Sequence, residues 1–284
     1  MKVFCKEKKS NGRRHIYCCG VKVLSYKRKK IAHSAEAAYS PYADYKEKFE
    51  KAGWLLEKKE NKYFLSNDKL TVSGDADNTL WTGYSVFCRD EYSFFDKEPY
   101  IVIDIGLNLG FTSLRLATED YVVKVYGFEP FTPTYKLAVD NLNKNPKYAR
   151  KIEIFNFGLS DKDGSLDIHY NPDLPGSMST IKDRFEDAEA VEVVQLKKAS
   201  TVLEPILAKH TEKVFVKIDC EGAEKEIIPE LAKSGILKKV SLINMEWHFE
   251  NPQKLIDILK NEGFVVVCHH DNFDELGMII AFKK

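Results

Sequence analysis

The chain has 284 residues, a length that suits one large domain or two small ones. Hydrophobic residues make up 44% and charged residues 30%, enough apolar material for a sizeable core and too much for wholesale disorder. Forty-three basic residues balance 43 acidic ones, so net charge does not draw the chain toward a nucleic-acid polymer, and none is expected as a partner. No apolar run approaches the ~18 residues of a membrane helix. The N-terminus turns basic at once, without the apolar stretch of a secretory signal. The six cysteines (5, 18, 19, 88, 220 and 268) form no CxxC pair or zinc-finger spacing, and adjacent Cys18 and Cys19 have poor geometry for a bridge to each other. Reduced thiols in the cytoplasm are the expectation.

Charge is uneven along the chain. Residues 1–30 carry eleven bases and one acid, Glu7, a local charge of +10. This arm suits contact with an anionic lipid surface or an anionic substrate, and otherwise a solvated tail. Within it, 15–26 reads as a short strand or hairpin. Residues 35–50 suggest a helix with Pro41 near a start or break. Residues 54–73 hold three apolar-rich pieces separated by Asn61-Lys62 and Asn67-Asp68, the pattern of a small meander. Aromatic-rich 79–95 suggests a helix packing on the segment after it. Residues 1–97 are thus expected to form a basic arm and small N-terminal appendage, and 98–284 the main domain.

From residue 100, β-branched runs (101–105, 123–129, 151–157, 214–219, 240–247, 264–270 and 277–284) alternate with amphipathic stretches. Continuous apolar strands with helical crossovers imply right-handed βαβ units and a mostly parallel, doubly wound α/β sheet. Only Asp271–Leu276 separate the last two strands, too few for a crossover, so the final strand should run antiparallel. Residues 158–210 interrupt the alternation. Within them 165–170 and 191–196 predict extra strands, and 171–187, rich in Pro, Gly and Ser, reads as a loop over the acceptor.

The first strand ends in Asp104-Ile-Gly106-Leu-Asn108-Leu-Gly110-Phe-Thr112. Ligands of open α/β sheets bind at the carboxyl ends of strands near the switch in strand order. Gly106 and Gly110 permit a tight turn there, but their G-x-x-x-G spacing lacks the glycine triplet that cradles a pyrophosphate. Glu129 ends the next strand, 25 positions after Asp104. A carboxylate there can accept hydrogen bonds from both ribose hydroxyls of a nucleoside. A pair of acids suits a ligand with a cationic end and no phosphate, such as S-adenosylmethionine. Asp161, after the third strand, is placed to accept from an adenine amino group.

The segments 102–114, 125–142, 154–169, 216–228 and 242–248 together resemble the FkbM-type family of class I S-adenosylmethionine-dependent methyltransferases. Lys-Ile-Asp-x-Glu-Gly-Ala-Glu at 217–224 is the most specific of them. The resemblance implies a Rossmann-like methyltransferase fold and methyl transfer to a hydroxyl oxygen, often on a sugar or polyketide-type metabolite. It implies that Asp104, Gly106, Asn108, Gly110, Thr112 and Glu129 hold the cofactor. The basic head also resembles heads on bacterial surface-polysaccharide enzymes.

Attack by a sugar hydroxyl needs a base. The fourth and fifth strand ends offer Lys217, Asp219, Glu221, Glu246 and His248. His248 is the preferred base, its ordinary pKa of ~6.5 suiting neutral pH. Asp219 is second, with the alternative of orienting the cofactor, and Glu221 completes the catalytic set. Asp219, Glu221, Glu246 and His248 also form a candidate Mg²⁺ or Mn²⁺ ligand set. Cys220, flanked by acids, is not expected to be nucleophilic. Phe128, Phe131, Trp247 and Phe249 flank the crevice as core or stacking groups. Lys182 and Arg184 would meet a phosphate if the acceptor sugar is nucleotide-linked. Two other functions compete: a nicotinamide-dependent oxidoreductase, which wants the missing glycine triplet, and a non-catalytic binding domain, which has no need of the strand-end acids.

Overall fold

The computed structural model describes residues 5–10, 13–18, 21–27, 41–75, 78–94, 96, 98–170, 178–179, 190–249, 251–270 and 276–283. The chain divides into two compact units, Met1–Ser40 and Pro41–Lys284. In the first, β1 (Cys5–Ser10), β2 (Arg13–Cys18) and β3 (Val21–Lys27) form an antiparallel meander.

The second unit opens with α1 (Pro41–Lys51), where Pro41 stands at the start and its missing N–H is harmless. The expected meander follows as β4 (Leu55–Lys59), β5 (Lys62–Ser66) and β6 (Thr71–Gly74). Then α2 (Asn78–Gly83) runs directly into a π-helical turn, Tyr84–Cys88.

These elements share a core with the main sheet. Phe49, Trp54, Leu56 and Leu65 cluster with Val102, Phe111 and Phe215. The expected boundary near residue 97 therefore does not separate compact units: 41–97 is built into the domain. Polar contacts strengthen the join. Asn141 exchanges hydrogen bonds with the backbone of Ser73, and Asn145 with that of Thr71. These asparagines, one helical turn apart, satisfy alternate residues of the free edge of β6, which would otherwise be an unpaired edge.

The main sheet contains β7 (Tyr100–Ile105), β8 (Val122–Phe128) and β9 (Ile152–Phe155), with α3 (Phe111–Ala117), α4 (Thr132–Lys144) and short α5 (Pro146–Ala149) between them. An inserted sheet follows: β10 (Gly158–Ser160), β11 (Gly164–Tyr170), β12 (Met178–Ser179) and β13 (Ala190–Lys198). The two strands expected in this insertion are β11 and β13, paired antiparallel. Most of 171–187, including Lys182 and Arg184, lies outside the described residues. The chain returns through α6 (Ala199–Leu207), β14 (Lys213–Ile218), α7 (Glu224–Lys233), a 3₁₀ turn, β15 (Leu242–His248), α8 (Gln253–Asn261), β16 (Val265–His270) and β17 (Leu276–Phe282).

The sheet order is β16-β17-β15-β14-β7-β8-β9. All neighbours are parallel except β17, which runs antiparallel to both β15 and β16. This is the doubly wound sheet with an antiparallel C-terminal strand that the sequence leads one to expect. Alternation along β7 splits the core: Ile101, Ile103 and Ile105 pack with α6, α7 and α8, whereas Tyr100 and Val102 face α3 and the N-terminal elements. Strand order reverses between β7 and β14, so their carboxyl ends open a crevice. Among the described residues no helix is long and apolar enough to cross a membrane.

Candidate active site

A cavity of about 580 Å³ sits at this crevice. Its floor is the turn after β7. Gly106 (φ +82°) lies against β14, and a Cβ there would come within 1.7 Å of the Asp219 carbonyl, so only glycine fits. Asn108 (φ +52°) continues the turn, and Gly110 (φ +76°) starts α3 against Ala138. Left-handed, non-glycine backbone recurs around the cavity: Asn108, Glu221 and Phe249 all line it with positive φ. Such strain gathers at functional sites.

Glu129 follows β8 and lines the cavity while only 5% exposed. Its Oε2 accepts from the Asn108 N–H (2.9 Å) and its Oε1 from the Phe131 N–H (3.0 Å). Burial pushes its pKa up to about 7, against the pull of those two N–H groups. The carboxylate is thus fixed in orientation and spans both sides of the turn, with lone pairs to spare for a pair of hydroxyls. Thr112 and Asn108 line the same wall.

Three expected cofactor residues, Asp104, Gly110 and Asp161, are absent from the cavity lining. Asp104 is fully buried and lies outside the cavity lining. It accepts a hydrogen bond from Ser113 of α3 (2.6 Å) and pairs with Lys217 Nζ at 3.1 Å. Period-two alternation turns it, like Val102, toward α3. It therefore braces the floor from beneath. Lys217 also donates to the Gly106 carbonyl (2.5 Å), fixing the turn. Asp161 is exposed, takes a hydrogen bond from Ser160 and is absent from the lining; Leu159, two residues earlier, lines the cavity instead.

The far wall carries the strand-end acids. Asp219, Glu221, Glu246 and His248 all line the cavity, as expected. Tyr92, 6% exposed, joins two of them: its hydroxyl lies 3.0 Å from Asp219 Oδ2 and 3.3 Å from Glu246 Oε2, and donates to either. Burial, then the charge of Asp219, push Glu246 up to about 8. Tyr92 is driven well above its ordinary range by burial and the same acids. Cys220 is raised well above its usual value by burial and by Glu224, in keeping with an inert thiol.

His248 differs from expectation. Burial opposes its charge, but Glu224, Glu221 and Asp219 outweigh burial and raise its pKa to about 9. Its Nδ1 is 3.4 Å from Glu224, which also accepts from the His248 backbone N–H (2.7 Å). The imidazole is a cation at neutral pH and has no free lone pair for a base to use. Sequence reasoning passed over Tyr92, Glu91 and the buried role of Glu224. No spacing signal marked Tyr92, which reaches the site from the N-terminal elements.

Asp219, Glu221 and His248 place one ligand atom each within 4.8 Å of one another, a grouping that overlaps the anticipated metal set. Of the aromatic candidates, Trp247 is 1% exposed and outside the lining, while Phe128 and Phe131 are buried residues at the cavity wall.

A cationic nucleoside fits these residues. The lining presents the carboxylates Glu91, Glu129, Asp219, Glu221 and Glu246, and the turn offers no phosphate cradle.

The profile of the methyltransferase FkbM domain matches residues 104–266. Methyltransferase sdnD of Sordaria araneosa is 30% identical over 217 residues, covering 66% of this chain and 83% of that protein. A segment of 72 residues is 35% identical to the AMB antimetabolite synthetase AmbE of Pseudomonas aeruginosa, covering 25% of this chain and 3% of the synthetase. The crystal structure of the methyltransferase FkbM from Methylobacillus flagellatus superposes with a TM-score of 0.47 and 13% identity, over 70% of this chain and 48% of that one. M. jannaschii TYW2, in complex with AdoMet, gives a TM-score of 0.43 at 12% identity, over 80% of this chain and 87% of that one. On the profile and the sdnD likeness, the chain belongs to the FkbM-type family of S-adenosylmethionine-dependent methyltransferases.

Proposed function

We propose that the protein transfers a methyl group from S-adenosylmethionine to a hydroxyl oxygen of a carbohydrate, in the making of a surface glycan. One observation carries this reading. A fixed carboxylate suited to ribose, Glu129, and a proton-accepting group, Tyr92–Asp219–Glu246, line a single cavity.

When bound, S-adenosylmethionine supplies an electrophilic methyl on a sulfonium that departs as a neutral thioether. Glu129 would accept from the two ribose hydroxyls, its carboxylate held in orientation by the Asn108 and Phe131 N–H groups. Asp219, beside the buried ammonium of Lys217 at 4.0 Å, remains available to an amino group of the donor. Glu246 takes the proton of the attacking hydroxyl as the new C–O bond forms. A raised pKa makes Glu246 a stronger base than an ordinary carboxylate once it is ionised. Any cation in the cavity favours that ionised form. His248, charged, balances Glu221 and Glu224 and keeps the far wall in register. This assigns the base to Glu246 in place of His248. A divalent ion would be held by Asp219, Glu221 and the deprotonated imidazole of His248, and would act by lowering the hydroxyl pKa.

The test is an acceptor screen with methyl-labelled donor, run with and without chelator, followed by mass and NMR analysis of the product. A methyl ether on a sugar carbon supports the proposal. Transfer to nitrogen or carbon, or to nucleic acid alone, would refute it.

A further inference from the structure

The cavity has a third wall, separate from the turn that faces the donor and from the strand-end acids. It comes from α2, the π-helical turn and the residues just after it. Trp81, Ser85, Arg89 and Tyr92 lie on it in sequence, all lining the cavity. Trp81 stands on α2 and Ser85 in the π-helical turn, Arg89 caps that turn, and Tyr92 follows in a non-helical turn after Asp90, whose φ is +54°. A π-helical turn in the middle of this wall is itself a common mark of functional sites.

The wall has a direction. At one end Trp81 is 54% exposed, so its ring is open to solvent while still lining the cavity. At the other end Tyr92 is 6% exposed and touches Asp219 and Glu246. A molecule lying along this face would meet an aromatic ring first and present its far end to the proton-accepting acids. Between the ends stand Thr82, Ser85 and Val86, small groups of mixed polarity.

Charge narrows the class of molecule. Among the described residues the lining cations are engaged: Arg89 with Glu91 at 3.3 Å, Lys217 with Asp104 at 3.1 Å, and His248 with Glu224 at 3.4 Å. The lining carboxylates Glu91, Asp219 and Glu221 would repel a diphosphate. An uncharged pyranose avoids this repulsion. It has an apolar C–H face to lie on an indole and hydroxyls to meet Ser85 and the acids.

We propose that the Trp81–Tyr92 wall is the acceptor subsite, with Trp81 as the platform for an uncharged sugar ring whose reactive hydroxyl reaches Glu246. This rests on the carbohydrate O-methyltransferase reading and specifies its acceptor as one without a phosphate in the cavity.

The three tryptophans make the test direct. Trp54 and Trp247 are 5% and 1% exposed, so acrylamide quenching reports chiefly on Trp81. Protein saturated with S-adenosylhomocysteine would be titrated with uncharged methyl pyranosides and with the matching uridine-diphosphate sugars. The expected result is that at least one methyl pyranoside shields Trp81 from acrylamide. For the methylated acceptor, Trp81→Ala should raise KM at least about ten-fold with kcat within about three-fold, and Trp81→Phe should restore most of the affinity. No shielding by any methyl pyranoside, an unchanged KM in Trp81→Ala, or shielding by a nucleotide sugar at ten-fold lower concentration would overturn the proposal. Binding of S-adenosylhomocysteine, measured first by calorimetry, separates the two levels. Its failure would sink the methyltransferase chemistry itself, whereas normal donor binding with an indifferent Trp81 sinks only the acceptor wall.

Discussion

Lys217 and Asp104 are direct neighbours in the register of β14 and β7, and their charged groups meet 3.1 Å apart with neither side chain more than 3% exposed. Burial alone would strip the proton from Lys217, but Asp104 and then Asp219 outweigh it and hold its pKa above the usual value. The pair lies beneath the turn that carries the cavity floor, and Lys217 ties that turn down through the Gly106 carbonyl.

Breaking this pair from one side leaves a buried charge alone, a loss of roughly 3–5 kcal/mol. Asp104→Asn and Lys217→Met should each destabilise the fold by about that amount in urea denaturation. The double variant should lose much less than the sum. Strict additivity would mean that the two charges do not depend on one another.

Donor binding should depend on pH through Glu129. Its carboxyl is protonated in the free protein below about 7, and only the ionised form can accept from both ribose hydroxyls. Affinity for S-adenosylhomocysteine should therefore rise between pH 6 and pH 8. In Glu129→Gln the rise should flatten, because no proton is left to lose. A pH-independent affinity in the native protein would count against the ribose assignment.

The rate profile should report Glu246 and Tyr92. In the free enzyme, kcat/KM should climb through about 8 as Glu246 ionises. Glu246→Gln should lower kcat by about 10²–10⁴-fold, the usual worth of a general base, and abolish that limb. Tyr92→Phe removes a donor that favours the ionised carboxylate, so the limb should move to higher pH. A limb that stays in place in Tyr92→Phe would show that the hydroxyl does not couple to the base.

Stability should fall as pH rises, and the sign is the same for three groups. Glu129 and Glu246 have folded pKa values near 7 and 8, above their ordinary 4.5, so the folded state keeps protons that the unfolded chain has lost. His248, raised from 6.5 to about 9, contributes stability that is full below 6.5 and is lost as pH passes 9. Calorimetric Tm should decline steadily from pH 6 to pH 9.5, and Glu246→Gln should remove part of the slope. A Tm that climbs over this range would contradict the electrostatics of the far wall.

Much of this was legible in the sequence because strong periodicities carried it. Continuous β-branched runs at β7, β8, β14 and β15 announced a buried parallel sheet, and the short link before β17 fixed its antiparallel sense. Glu129 was legible because its place at a strand end determines where its side chain goes. The buried placement of Asp104 was not legible, for the converse reason. A residue inside the strand turns by alternation toward α3, while one just past the strand, like Glu129, turns toward the crevice. His248 misled because its pKa depends on Glu224, 24 positions earlier, through a contact that spacing does not reveal. Tyr92 and Trp81 were invisible for a third reason. Their segment packs into the domain through Phe49, Trp54 and Leu65, and sequence alone offered no measure of that long-range burial.

The central claim is that Glu129 grips the nucleoside of a cationic methyl donor at the β7–β14 crevice. Isothermal calorimetry of the intact protein and of Glu129→Ala with S-adenosylmethionine tests it most directly, with NAD as the competing ligand. Losing charge-assisted hydrogen bonds worth about 1.5–3 kcal/mol should weaken donor binding roughly 10- to 100-fold, and NAD should not bind. Undiminished binding by a folded Glu129→Ala protein, or a preference for NAD, would contradict the account.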